Sequence, residues 1–376
     1  MSPSTSDVAS SLITSDADLA AACGRWSAAG VIGVDTEFFR ERTYYPLPAL
    51  VQVADRDGVV LVDPLEISDF TPFADLLIAP SVVTLMHACG EDLDVLELLT
   101  GALPGRIFDT QLAGAFAGHG FSLSYRGLVD ALLDVVLEKG ETRSDWLRRP
   151  LSPAQLRYAA LDVVYLLPMH RRLSRELAAL GRAAWLEEEL EHQRRARAED
   201  KQPDVAYVKV RRRAGLSPAH HAVLRALSEW RETEARARDI PRRHLLRDEV
   251  LIALATEPAP DLASVGTIQG LSERAVARYG QAITACIETA RRQGPADPDA
   301  SVDLRPYAGT LDRLKQIVRR VADTLELPPE LLANRRGLEA LLISVLENGG
   351  DIPQEFQGWR FDVVTTSLLD CLHASH

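Results

Sequence analysis

The sequence predicts a multidomain protein: a mixed α/β domain over roughly the first two hundred residues, then two small all-helical bundles. Three observations predict it. β-like runs alternate with helical patterns in the first half, strand signal is scarce beyond that, and charge changes sign along the chain. Residues 1–204 carry 19 basic and 31 acidic side chains, residues 205–292 carry 15 and 10, and residues 293–376 carry 8 and 13. A basic module thus sits between two acidic ones, separating a carboxylate-rich part from a part suited to gripping an anion. The expected units are a tail (1–12), an α/β domain (13–204), a first helical bundle (205–293) and a second (303–376). The stretch QGPADPDASVD (293–303) links the two bundles.

Within the α/β domain, VIGVDTEF (31–38), ALVQVAD (49–55) and VVLVD (59–63) are apolar, β-branched runs. The pair Asp57-Gly58 is a two-residue hairpin signal, so the three runs are predicted to form an antiparallel meander. SDFTPFADLLIA (68–79) reads as a helix with Ser68 or Asp69 near its N-cap, and VVTLMHA (82–88) reads as a strand. GEDLDVLELLTG (90–101) is a helix stopped by Gly101, and IFD (107–109) is a short strand leading into QLAGAFAG. The longest helical pattern spans 152–181. Ser152 caps it, Pro153 suits its first turn, and Pro168 is placed to kink it. The charged stretch 182–201 reads as a solvated connector helix. This element order fits a three-layer arrangement, a sheet with helices on its faces.

Bulk properties exclude some classes. No apolar run reaches about 18 residues, so no membrane span is expected. The N-terminus lacks a basic region followed by an apolar stretch, which makes the cytoplasm the expected location. Cys23, Cys89, Cys286 and Cys371 show no zinc or redox spacing and are expected as reduced thiols. The net charge of −12 argues against wrapping nucleic acid with the whole surface.

Five residues carry the chemistry. Asp35 and Glu37 lie two apart on a strand, so both point to one face. Two carboxylates held close both ionise only when a cation neutralises them, and a divalent metal is the natural one. Alone, the pair also fits a strand end with solvated acids. Asp92 opens a helix; alone, it also fits an acid stabilised by the helix dipole. Tyr158 and Asp162, at i and i+4, share one helix face; alone, they also fit a core-edge tyrosine and a surface acid.

The joint order is more telling: Asp-x-Glu on a first strand, Asp after a later strand, Tyr-x-x-x-Asp on a final helix. It resembles the Tyr-containing branch of the DEDD exonuclease superfamily. RTYYPLPALVQV (42–53), LVDP (61–64), HACGEDLDVL (87–96), FDTQLAGAF (108–116), ETRSDWLRRPL (141–151) and YAALDVVYLLP (158–168) resemble the ribonuclease D family. The resemblance implies a ribonuclease H-like mixed-sheet domain. It implies a 3′→5′ exoribonuclease that releases nucleoside 5′-monophosphates, with two Mg²⁺ or Mn²⁺ ions on Asp35, Glu37, Asp92 and Asp162. Hard oxygen ligands suit these ions rather than Zn²⁺. It implies that Tyr158 orients the attacking water; a phenol of pKa near 10 is a poor base at neutral pH. The histidine branch would carry His where Arg157 stands. Cys89 departs from the family, which has a small residue there.

Residues 216–284 resemble an HRDC domain, chiefly through WRETEARARDIP (230–241), the helix containing Asp248, and RYG; residues 303–376 resemble a second, divergent copy, clearest in LPPELLANRRGLEALL. No phosphate-binding G-x-x-x-x-G-K-[ST] motif exists, so no nucleoside triphosphate is expected. His87, Lys139, Arg143, Arg242 and Arg243 are candidate substrate contacts. His87 also fits a structural histidine, and the others also fit solvated loops or partners of Glu232, Glu234 and Asp239. Tyr44 and Tyr45 fit base stacking or core packing. The expected substrate is RNA with a free 3′ end, with tRNA precursors implied by the resemblance. A proofreading-type DNA exonuclease and a non-catalytic nucleic-acid-binding scaffold are the competing readings. A chain ending near residue 204 is expected to keep its fold.

Overall fold

A computed structural model describes residues 10–137, 144–200, 207, 210, 216–257, 261–294, 304–348 and 351–374. Six strands form one sheet in the order β1-β4-β3-β2-β5-β6. They are β1 (Ser10–Ile13), β2 (Val31–Phe39), β3 (Leu47–Ala54), β4 (Val59–Val62), β5 (Val83–Met86) and β6 (Ile107–Asp109). β2, β3 and β4 pair antiparallel, as the meander requires. Their hairpin is pinned by Asp55, whose carboxylate accepts the N–H groups of Asp57 and Gly58 at 2.8 and 3.1 Å. β5 runs parallel to β2, and β6 to β5. The sheet begins earlier than expected. Ser10–Ile13 adds a parallel edge strand beside β4. Only Ile13 of that strand is buried, so no alternating pattern marks it.

Alternate residues of β2 serve two layers. Ile32 and Val34 pack with Leu19, Trp26, Phe73 and Leu96. These come from α1 (Asp16–Ala29), α2 (Thr71–Ile78) and α3 (Asp92–Thr100). Helix α2 starts three residues later than the pattern suggests. Ser68 is engaged instead by Asp16, through its hydroxyl at 2.6 Å and its N–H at 2.9 Å, while Asp69 accepts the Thr71 N–H at 2.9 Å. The opposite face of the sheet is covered by α4 (Thr110–Phe116), α5 (Tyr125–Leu133), α6 (Pro153–Val164) and α7 (Leu166–Ala179), where Leu50, Phe116, Leu128, Ala159, Val163 and Leu173 share a core.

The long helical pattern is two helices. Ser152 and Gln155 form a reciprocal capping box at the start of α6. The break falls at Tyr165. Pro168 cannot donate to the carbonyl of Val164, and its ring crowds that carbonyl. At the break the Tyr125 hydroxyl donates to Leu161 O at 3.0 Å and accepts the Tyr165 N–H at 3.1 Å. A side chain inserted into the ladder is a recognised cause of a helix kink.

The chain forms two compact units. One comprises residues up to Phe39, Leu47–His192 and Asp303–His376; the other comprises Arg40–Pro46 and Gln193–Val302. The segment 303–376 forms the second helical bundle, its helices packing on one another, and it groups with the first unit. Its helices α14 (Ala308–Leu325), α15 (Pro329–Leu332), α16 (Arg335–Asn348) and α17 (Thr366–His373) share the core of the α6–α7 face. Trp359 stacks on Trp185 with centroids 5.2 Å apart and meets Phe116 edge-on at 5.2 Å. Arg360 pairs with Glu189 at 2.6 Å, and Arg182 donates to the carbonyls of Phe116 and Leu325. Helix α8 (Ala183–Asp200) buries Leu186 and Glu189, and Arg182 before it is buried, so this stretch is more than a solvated connector. A chain ending near residue 204 would lose Phe356, Trp359, Leu368 and Leu372 from this shared core, which overturns the expectation that it keeps its fold.

In the second unit, α9 (Pro218–Ala237), α10 (Arg242–Leu245), α11 (Asp248–Thr256), α12 (Leu262–Gly266) and α13 (Glu273–Gln293) bury Leu224, Leu227, Leu251, Ile283 and Ile287. Among the described residues no helix is long and apolar enough to cross a membrane.

Candidate active site

β2 delivers two acids to one face. Asp35 and Glu37 alternate with Thr36, and a register shift between Glu37 and Phe38 ends the regular pairing just past them. Gly33, two residues earlier on the same face, lets the α6–α7 junction come close. A Cβ there would lie 3.0 Å from the Leu166 side chain and 3.4 Å from Val163 O. That approach brings Asp162, in the last turn of α6, to the two strand acids. Asp35, Glu37 and Asp162 each offer a carboxylate oxygen, and these lie within 4.8 Å of one another.

Asp92 arrives from the other side of the strand. It opens α3, and its Oδ1 accepts the Thr36 hydroxyl at 2.6 Å. The residue between the two strand acids therefore anchors the third acid. The turn before Asp92 is fixed by Asp109, a buried acid outside the set of candidates that the sequence points to. Its carboxylate accepts the N–H groups of Ala88 and Cys89 at 3.2 and 3.0 Å, while capping α4 at Gln111 and Leu112. Ala88 holds φ at 55°, uncommon without glycine, so this turn needs the outside support that Asp109 gives. Of Asp109, Gly33 and Tyr125, only Asp109 carries a sequence signal, its place in FDTQLAGAF.

The acids are crowded and poorly solvated. Burial holds the Asp35 carboxyl well above the usual range, and the charges of Asp92, Asp162 and Glu37 add to it. Burial, then Asp162 and Asp92, pushes Glu37 up to about 8. Burial raises Asp162 to about 7, against a lowering hydrogen bond from Tyr158. Asp92 is raised by burial, with the Thr36 bond opposing. Such a set favours a cation in its midst. The groups the cluster offers are carboxylate oxygens, so its chemistry fits a hard divalent ion. Tyr158 stands one turn before Asp162, its ring tilted over Trp146 with centroids 6.0 Å apart. Burial, then Asp162, raises its phenol above the ordinary value, so it stays protonated at neutral pH.

The secondary candidates fare differently. His87 is a structural residue: Nδ1 meets the Thr110 hydroxyl at 2.9 Å and Nε2 meets Leu123 O at 3.1 Å, leaving no ring nitrogen for substrate. Lys139 and Arg143 lie outside the described residues. Arg242 is committed to Glu232, a side chain only 1% exposed, and to the Tyr44 hydroxyl at 3.0 Å. Arg236 pairs with the same Glu232 and Arg238 with Glu234, so these arginines serve the fold. Arg243 is exposed. Tyr44 packs in the second unit's core and donates to Glu232 at 2.5 Å, and Asp239 accepts the N–H groups of Tyr44 and Tyr45 at 2.9 Å each. Core packing therefore accounts for Tyr44.

Known proteins carry the same organisation. A family profile described as 3'-5' exonuclease matches residues 11–178, one described as HRDC domain matches 220–287, and one described as Ribonuclease D, C-terminal HRDC domain matches 306–368. The ribonuclease D of Pseudomonas paraeruginosa is 40% identical over 367 residues, covering 96% of this chain and 97% of its own. That of Escherichia coli is 34% identical over 371 residues, covering 96% and 98%. The crystal structure of Escherichia coli RNase D, described as an exoribonuclease involved in structured RNA processing, superposes with a TM-score of 0.86 at 32% identity, covering 96% of this chain and 98% of that one. Coverage this complete, over a site where Asp35, Glu37 and Asp162 converge while Asp92 stands outside that 4.8 Å group, places the chain in the ribonuclease D family as a 3′→5′ exoribonuclease.

Proposed function

We propose that the protein removes nucleotides one at a time from the free 3′ end of RNA, releasing nucleoside 5′-monophosphates, and that it matures the 3′ ends of tRNA precursors. The observation that carries the chemistry is the set of carboxylate oxygens of Asp35, Glu37 and Asp162 within 4.8 Å of one another, with Asp92 tied to the same strand. Two divalent cations on these four acids, Mg²⁺ or Mn²⁺, would supply activation of a water and neutralisation of the leaving 3′ oxygen. The chain's own groups do the rest. Tyr158 is protonated and fixed by Asp162 and Trp146, so its hydroxyl orients the water rather than taking its proton. The P–O3′ bond of the terminal phosphodiester breaks, and the phosphate leaves with the released nucleotide.

The substrate assignment follows from family membership and from the charge of the middle module, where basic residues outnumber acidic ones by 15 to 10. Exposed Arg243 and Arg247 remain candidates for sequence-independent phosphate contact. The decisive experiment is incubation of the full chain with matched 3′-labelled RNA and DNA strands, with and without Mg²⁺. Release of labelled 5′-mononucleotide from RNA only when Mg²⁺ is present is the expected result. Equal release from DNA would favour a proofreading-type nuclease, and release undiminished by excess EDTA would overturn the cation-dependent reading.

A further inference from the structure

Gln52 lies on β3 directly opposite Asp35 of β2 in the antiparallel register. Opposed residues of such a pair project to one face with Cβ atoms about 4.5–5.5 Å apart. Gln52 therefore stands beside the first acid of the cluster, on the face turned towards α6. Its side chain is 0% exposed, and neither its carboxamide oxygen nor its nitrogen has a hydrogen-bond partner among the described residues. The residues two before and two after it, Leu50 and Ala54, are buried apolar side chains of the same core. Packing alone would be met by another apolar residue.

An unpaired buried polar group costs about 1–3 kcal/mol. The side chain facing Gln52 across the strand pair is the Asp35 carboxylate, an acceptor that the amide N–H groups suit. We propose that Gln52 is a positioning residue of the metal site, hydrogen-bonding the Asp35 carboxylate in the cation-loaded protein and holding it in its ligating orientation. This inference rests on the two-cation reading above. A carboxamide suits this role because it donates without adding charge to a cluster that already crowds four acids, and it does not compete with a cation as an ammonium would.

The experiment uses the full chain. Gln52→Met keeps the length of the side chain and removes both polar atoms, and Gln52→Leu removes them with a branched side chain. Mn²⁺ affinity is measured by calorimetry, and thermal unfolding is followed in EDTA. Each variant is expected to bind Mn²⁺ about 10–100-fold more weakly, the usual effect of deleting a hydrogen-bond partner of a metal ligand. The unfolding midpoint in EDTA should stay level or rise, because two unpaired polar atoms are gone. Where the variants differ, the unbranched Met variant decides. Wild-type affinity would overturn the proposal. So would weakened binding with a lowered midpoint in EDTA, or failure to fold, since either assigns Gln52 to the fold. A wild-type chain that takes up no Mn²⁺ would sink the two-cation reading itself, and this proposal with it.

Discussion

Replacing Arg149 by Lys keeps a positive charge and removes a planar fork, which makes it a sharp test of what holds Tyr158 in place. Arg149 donates to both oxygens of Asp63, at 2.5 and 2.6 Å, and to the carbonyls of Trp146 and Ala49 at 2.7 Å each. The Asp63 side chain is only 2% exposed. This cluster joins Asp63, just after β4, to the segment before α6, and that segment carries Trp146 against Tyr158. A lysine ammonium donates from a single point and cannot span both Asp63 oxygens and two carbonyls. At least one bond to the carboxylate and one to a carbonyl should be lost, at roughly 1.5–3 and 0.5–1.5 kcal/mol respectively. Arg149→Lys is therefore expected to destabilise the protein by about 2–4.5 kcal/mol. Arg149→Met should approach the 3–5 kcal/mol typical of a buried charge left unpaired. Loosening Trp146 should also lower kcat with little change in KM. Urea unfolding gives the first quantity, and steady-state cleavage of a 3′-labelled RNA the second. A loss under about 0.5 kcal/mol for the Lys variant, the behaviour of an exposed ion pair, would refute the reasoning.

Other outcomes follow from the same geometry. Asp35→Asn or Asp162→Asn should nearly abolish turnover and weaken Mn²⁺ binding, whereas Tyr158→Phe should leave binding largely intact and lower kcat about 10²–10³-fold; calorimetry giving the reverse pattern would exchange these roles. Tyr125→Phe should cost about 1–3 kcal/mol in urea unfolding, because Leu161 O and the Tyr165 N–H lose their partner; an unchanged midpoint would mean that the backbone closes the gap unaided. Burial works to raise Glu232, but hydrogen bonds from Arg242 and Tyr44 outweigh it and bring it down to about 2. Its folded pKa lies below the ordinary 4.5, so its stabilisation is present above about pH 4.5 and is lost as pH falls through 2. The stability gap between wild type and Glu232→Gln should therefore shrink on acidification, and a constant gap from pH 5 to 2.5 would contradict the assignment.

The acids are legible in the sequence because their chemistry imposes regular spacings. Asp35 and Glu37 must share a strand face, and Tyr158 and Asp162 a helix face, so each pair declares itself at i+2 or i+4. The supporting residues do not declare their roles locally, and of them only Asp109 lies in a telling motif. Asp109 acts on N–H groups twenty residues away, Tyr125 acts on a helix forty residues away, and Gly33 matters because of what packs on it. Arg242 shows the converse error. An arginine in a basic stretch reads the same whether it meets a phosphate or a buried glutamate, and only the fold shows Glu232 beneath it. The last helical segment misleads for a related reason. Its amphipathic pattern reveals that one face is buried, but not that the core its own helices make runs on into that of the α6–α7 face.

The position of one helix end links most of these features. Asp162 reaches the two strand acids from the last turn of α6 only if that turn lies over β2, and two independent devices put it there. Gly33 removes the Cβ that would meet Leu166, which lets the junction settle against the strand. Pro168 and the Tyr125 hydroxyl break the ladder at Tyr165, so α7 departs in its own direction and packs against α4 and α5. An unbroken helix through Tyr165 would have to satisfy both contacts along one straight axis. The break lets the two differ: α6 lies over β2, β3 and β4, while α7 packs on β2 and β5 and also on α4 and α5. The sheet face under α6 can then carry charged and polar residues, Asp35, Glu37 and Gln52, while the apolar demand of the layer is met beyond the kink by Leu166, Met169, Leu173 and Leu177. A cluster of half-buried acids is destabilising by itself, and the apolar core around the kink offsets it without crowding the site.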